Sequence, residues 1–134
     1  MIKKTLNGNK RETYNKALEL INLLFPEKHQ LKKLERLCLV EFLLLDVEEE
    51  YTRFNSKNKL LVIEKMKDMH NYKLVKSSLS VTLSSLHEKK YIIKEPDNII
   101  LLSSFLQNKI LNNSEILLQI NLQNNDNIQH EQHT

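Results

Sequence analysis

Lysine and hydroxyl side chains surround a leucine stripe over Lys76–Lys94, and that pairing can hold phosphate. Leu79, Leu83 and Leu86 stand at i, i+4 and i+7, so they define one apolar side of a helix. The other side carries Ser77, Ser78, Ser80, Val81, Ser84 and Ser85, with Lys76, Lys89 and Lys90 at its ends. Small hydroxyl residues let a helix lie close to a duplex, and lysines neutralise its phosphates. The same composition also describes an ordinary solvated face.

Other chemistry has little to build on. His130 and His133 stand three apart, but a metal site needs further ligands and partners that orient them. His29, His70 and His87 have no cysteine or carboxylate at ligand spacing. Glu48-Glu49-Glu50 reads as a charged helix end rather than a pair of catalytic carboxylates. Gly8 is the single glycine, so no glycine-rich phosphate loop exists. Cys38, the lone cysteine, sits in an apolar run and reads as a small buried hydrophobe. The expectation is a protein that is not an enzyme and holds neither cofactor nor metal.

Composition bounds the architecture. The chain has 134 residues, enough for one domain with a modest core. One glycine and two prolines argue against sheets with tight turns and for a mainly α protein. Net charge is only +3, but it is unevenly spread. Residues 1–40 carry +5, residues 41–50 carry −5, residues 51–94 carry +7 and the remainder −4. Positive charge therefore concentrates around the serine-rich helix, where contact with duplex DNA needs it. The most apolar run, Leu37 to Leu45, contains Glu41 and is far shorter than the ~20 residues that span a bilayer. No membrane association and a cytoplasmic, nucleoid-associated location are expected.

The elements that must position this helix follow from period and punctuation. Residues 1–9 read as a flexible N-terminus. Tyr14, Leu18, Ile21 and Phe25 form one stripe, ended by Pro26. A second helix starts near Pro26 or Leu31, with Leu34, Cys38, Phe42 and Leu45 inward. Leu37, Val40, Leu43 and Leu44 make it apolar on most sides, so it is buried centrally or meets a second copy. Asn55 or Ser56 caps a third helix, Lys57 to about Met69. His70–Lys73 is a turn, Leu74 and Val75 are apolar anchors, and Ser77 or Ser78 caps the serine-rich helix. Tyr91–Lys94 and Ile99–Leu102 form a β-hairpin across the turn Glu95–Asn98. Ser103 or Ser104 opens a last helix with Phe105, Leu106, Ile110 and Leu111 inward. Ile116–Leu122 fits strand or helix, and residues 123–134 read as a disordered tail.

Helix, turn, helix and hairpin in this order resemble a winged helix-turn-helix with extra N-terminal helices. The run Ser77–Ile92 is similar to the recognition helix and the start of the wing in MarR-like and related bacterial or phage winged-helix proteins. The resemblance covers roughly residues 55–105 and implies one such domain over residues 10–122. It implies a DNA-binding regulator of transcription from a bacterium, phage or mobile element, acting as a homodimer. The homodimer would form through the helices Tyr14–Phe25 and Leu31–Leu45 and the C-terminal segment. The binding residues it implies are Ser77, Ser78, Ser80, Val81, Ser84 and Ser85, with Lys73, Lys76, Lys89, Lys90 and Lys94 on phosphates. Departures from the family pattern stand at Lys73, where a turn glycine is usual, and at Lys90-Tyr91, where glycine and an apolar residue are usual. The wing tip Glu95–Asn98 is acidic, and the helix face lacks the Arg, Asn and Gln that read bases. A protein-docking or assembly module is the alternative function.

Overall fold

The computed structural model describes residues 10–111. The expectations for residues 1–9, for Ile116–Leu122 and for the tail from Gln123 fall outside them. Among the described residues four α-helices come first: α1 Lys10–Leu24, α2 Lys33–Leu44, α3 Ser56–His70 and α4 Lys76–Glu88. Strands β1 Ile92–Lys94 and β2 Ile100–Leu102 follow. Then comes α5, a single turn Ser104–Leu106 that widens into a π turn over Gln107–Leu111. The described chain is mainly helical with a small two-stranded antiparallel sheet.

α2 is the centre of the core. Cys38, Leu39, Val40 and Phe42 are wholly buried, and α1, α3 and α4 all touch this helix. Its inner apolar side is therefore covered by its own chain, while Leu34, Leu37 and Leu44 are half-buried. Burial of each large side chain contributes about 1.5–3 kcal/mol. The C-terminus of α2 is closed by Arg53. Its Nη1 donates to the carbonyls of Phe42 (2.7 Å) and Leu45 (2.9 Å). Its Nε and Nη2 grip Glu50 at 2.9 and 2.7 Å. Carbonyls that the helix cannot satisfy internally thus find a cation, which the helix dipole also favours.

Asn55 caps α3 as expected, accepting from the Asn58 N–H at 2.8 Å. The start of α4 departs from expectation. Its N-cap is Val75, without a side-chain cap bond, and Ser77 and Ser78 lie exposed inside the first turn. Leu74 decides the register, because it plugs the core immediately ahead of the helix. Burying a leucine is worth about 1.5–3 kcal/mol, more than the ~1 kcal/mol of a serine cap. From there Leu79, Leu83 and Leu86 are buried together, as their spacing predicts.

The hairpin forms with Ile92 opposite Leu102, Ile93 opposite Leu101 and Lys94 opposite Ile100. Ile92 and Leu102 face the core while Ile93 and Lys94 face out. The turn closes with the Glu95 N–H donating to the Ile99 carbonyl at 2.7 Å. Asp97 and Asn98 take φ of 68° and 64°, the left-handed region that short polar residues tolerate best after glycine. Ser103 caps α5 by accepting from the Leu106 N–H. Leu106 and Ile110 are buried as expected, whereas Phe105 is largely exposed, its ring 6.2 Å from that of Phe25.

Candidate nucleic-acid interface

α4 is held by its apolar stripe, by its carboxyl-terminal turn and by one buried carboxylate. The turn is a Schellman motif. The Tyr91 N–H donates to the Leu86 carbonyl at 3.0 Å, and the Lys90 N–H to the His87 carbonyl at 3.1 Å. Tyr91 and Leu86 are both buried, which supplies the apolar contact of that motif. Lys90 takes the left-handed position with φ of 73°. This is the physical meaning of a glycine at that place in related patterns: the backbone needs positive φ.

The buried carboxylate is Glu35 of α2. It accepts from the Lys32 N–H at 2.8 Å, which closes the first turn of α2. It also accepts from Lys89 Nζ at 2.5 Å and from Ser85 Oγ. Burial opposes its ionisation, but the hydrogen bonds from Lys89, Ser85 and Lys32 outweigh that and hold the carboxyl below its ordinary range. Ser85 and Lys89 are consequently turned toward the interior. Of the residues expected to bind DNA, these two are not on the exposed face.

The other nine are exposed: Lys73, Lys76, Ser77, Ser78, Ser80, Val81, Ser84, Lys90 and Lys94. Ser77, Ser80, Val81 and Ser84 share the side of α4 opposite Leu79, Leu83 and Leu86. Val81 is 70% exposed, a branched apolar side chain in the middle of a polar face. The backbone N–H groups of the first turn have no side-chain cap, so they lie open to an anion. The hairpin that follows the C-terminus of α4 carries Lys94, but its tip holds Glu95 and Asp97.

A second buried carboxylate fixes the end of α3. Glu41, at 1% side-chain exposure, accepts from Arg11 Nε at 2.7 Å and Nη2 at 3.0 Å. His70 Nε2, on the last residue of α3, lies 2.8 Å from the same carboxylate. A carboxylate can only accept, so that nitrogen carries the proton. Burial again opposes ionisation, and Arg11 and His70 together prevail, keeping the Glu41 carboxyl low. Glu35 and Glu41 lie on α2 and reach α4 and the α1/α3 pair, so the central helix ties α1, α3 and α4 in place through two buried carboxylates. Sequence reasoning did not assign them. The available signals were Lys32 and Glu35 at capping-box spacing, and a charge at Glu41 inside an apolar run, which burial permits only with a partner.

Cys38 is wholly buried and its thiol is pushed up to about 12 by burial and the nearby Glu41 and Glu35, so it is inert at neutral pH. Among the described residues no group of three or more His, Cys, Asp or Glu could hold a metal ion, and no helix is long and apolar enough to cross a membrane. His130 and His133 lie outside those residues. Comparison with protein-family models, curated proteins and solved structures finds no match to this chain.

Proposed function

We propose that this chain is a winged helix-turn-helix DNA-binding protein, a transcriptional regulator of a bacterium, phage or mobile element, that meets duplex DNA through α4. One observation carries the reading. The helix between a structured turn and a hairpin presents small hydroxyl residues, Val81 and flanking lysines to solvent, with Glu88 as its one exposed carboxylate and an uncapped first turn. Lys73, Lys76, Lys90 and Lys94 neutralise backbone phosphates, and Ser77 and Ser78 donate to them. Val81 touches a thymine methyl. The face has no side chain suited to bidentate base contacts, so shape and backbone contacts carry most of the affinity. The protein acts in the cytoplasm on the nucleoid, as a binder and not as a catalyst. A second copy sits on the outer side of α1, where Leu23 and Leu24 are 77% and 82% exposed. Such a dimer would offer two α4 helices to half-sites about one helical turn apart.

Fluorescence polarisation against random duplex at low salt, followed by a salt titration, tests this. Four phosphate contacts per copy predict a slope of log affinity against log salt of about −3.6 for each bound copy. Lys76→Glu and Lys73→Glu should each weaken binding and flatten that slope. Failure to bind at low salt would sink the reading.

A second reading has its own support. Leu60, Val75 and Val81 are at least half exposed around the same helix pair, and the hairpin tip is acidic. These features suit protein docking better than phosphate. A salt-insensitive association, or none with DNA, would favour it.

A further inference from the structure

The first halves of α3 and α4 enclose a cleft of about 230 Å³ that apolar period alone does not foretell. Leu60 and Ile63 of α3 and Leu79 of α4 make its apolar floor. Lys59 and Lys76 stand on its two sides, with Ser56 and Ser80 also lining it. Among the described residues no carboxylate lines it and neither lysine has an ion-pair partner. We infer that this cleft binds a small amphiphilic carboxylate, its apolar body on Leu60, Ile63 and Leu79 and its anionic head between Lys59 and Lys76.

The chemistry of the walls selects that class. A bare inorganic anion would satisfy the lysines and leave the apolar floor wet. A neutral hydrocarbon would cover the floor and leave two cations uncompensated. A carboxylate on a short chain satisfies both, since charge-assisted bonds from lysine and serine fix its head and the floor shields its body from water. The volume accommodates about eight heavy atoms at ~30 Å³ each. Lys76 and Ser80 also belong to the proposed duplex face. On that reading, and only on it, the carboxylate and a backbone phosphate compete, which would make the cleft a site of release from DNA.

Sodium hexanoate, with eight heavy atoms, is the probe. Two-dimensional amide NMR of the full chain without DNA should show saturable shifts confined to the cleft residues. Dissociation should occur on the order of 1 mM, as befits so small a ligand. Lys59→Gln with Lys76→Gln, both away from the core, should weaken this about tenfold or more through loss of the charged donors. Leu60→Ser should weaken it through the floor while leaving the lysines in place. No saturable shift, equal binding of 1-hexanol, or equal binding of inorganic phosphate would each overturn the assignment. In the presence of duplex, at matched ionic strength and ten times its dissociation constant, hexanoate should raise the apparent duplex dissociation constant about elevenfold. Hexanoate binding with unchanged duplex affinity would uphold the cleft and refute the shared face. Absence of duplex binding altogether would refute the DNA reading and leave the NMR result standing on its own.

Discussion

Replacing Lys90 by glycine should stabilise this protein, although it deletes a charged side chain and every atom beyond Cα. Lys90 sits at φ of 73° in the Schellman turn that ends α4. A residue with a Cβ costs about 1–2 kcal/mol in that region. Glycine removes that cost but returns roughly 0.5–1 kcal/mol through the extra freedom of the unfolded chain. The net gain is about 0–1.5 kcal/mol, centred near ~0.7 kcal/mol. For a domain of this size the central value corresponds to a rise of roughly 2–4 °C in the thermal midpoint. The side chain itself is exposed, so little packing is lost with it.

Thermal unfolding followed by circular dichroism measures the effect. Lys90→Ala is the control that separates conformation from charge, because it removes the ammonium and keeps the Cβ. It should show no gain, and Lys90→Asn should fall between the two, since Asn tolerates the left-handed region better than Lys. A Lys90→Gly protein no more stable than Lys90→Ala would refute the argument from backbone strain. The same variant probes function in the opposite direction. If Lys90 touches phosphate, the more stable protein binds duplex less tightly, and its salt slope falls by about 0.9 per copy. Stability and binding moving in opposite directions cannot come from partial unfolding.

Glu35→Gln should destabilise the fold by about 1–3 kcal/mol in urea unfolding. It leaves Lys89 charged and largely buried, although that side chain keeps enough exposure to limit the loss. Glu35→Leu combined with Lys89→Met should recover only part of this, because the Lys32 N–H and the Ser85 hydroxyl also lose their acceptor, and a double variant as stable as the parent would show that water replaces those bonds freely. Glu35 and Glu41 both have carboxyls held low in the folded state. Their contribution is therefore complete above the ordinary carboxylate range and is lost as pH falls through the lower folded values. The urea midpoint should hold down to about pH 5 and fall below about pH 4, and Glu41→Gln should flatten that acid limb. Arg53→Met should cost about 2–4 kcal/mol, because it strips the last carbonyls of α2 of their donor and leaves Glu50 unpaired. A loss under about 0.5 kcal/mol, the scale of a surface change, would show that water replaces the guanidinium freely.

The element order was legible from apolar period because this chain relies on period. Leu79, Leu83 and Leu86 are buried as spaced, and Ile92 and Leu102 pair as the alternation implies. What period could not show is which polar residue turns inward. Ser85 and Lys89 look like their exposed neighbours Ser84 and Lys90 along the sequence. Only the arrival of Glu35, fifty residues away in sequence from Ser85, sends one pair inside and leaves the other out. The N-cap of α4 was misplaced for a related reason: a local preference for serine lost to the burial of Leu74. Glycine scarcity correctly indicated a helical chain, yet it did not abolish positive φ. Asn71, Lys90, Asp97 and Asn98 supply it at the end of α3, the end of α4 and the hairpin tip. Three of these four are the Asn and Asp types that tolerate the left-handed region, and the fourth is a lysine that does not. A strained lysine beside an exposed hydroxyl face is easier to explain by what its charge contacts than by what its backbone prefers, which is why the Lys90 variants bear on fold and function together.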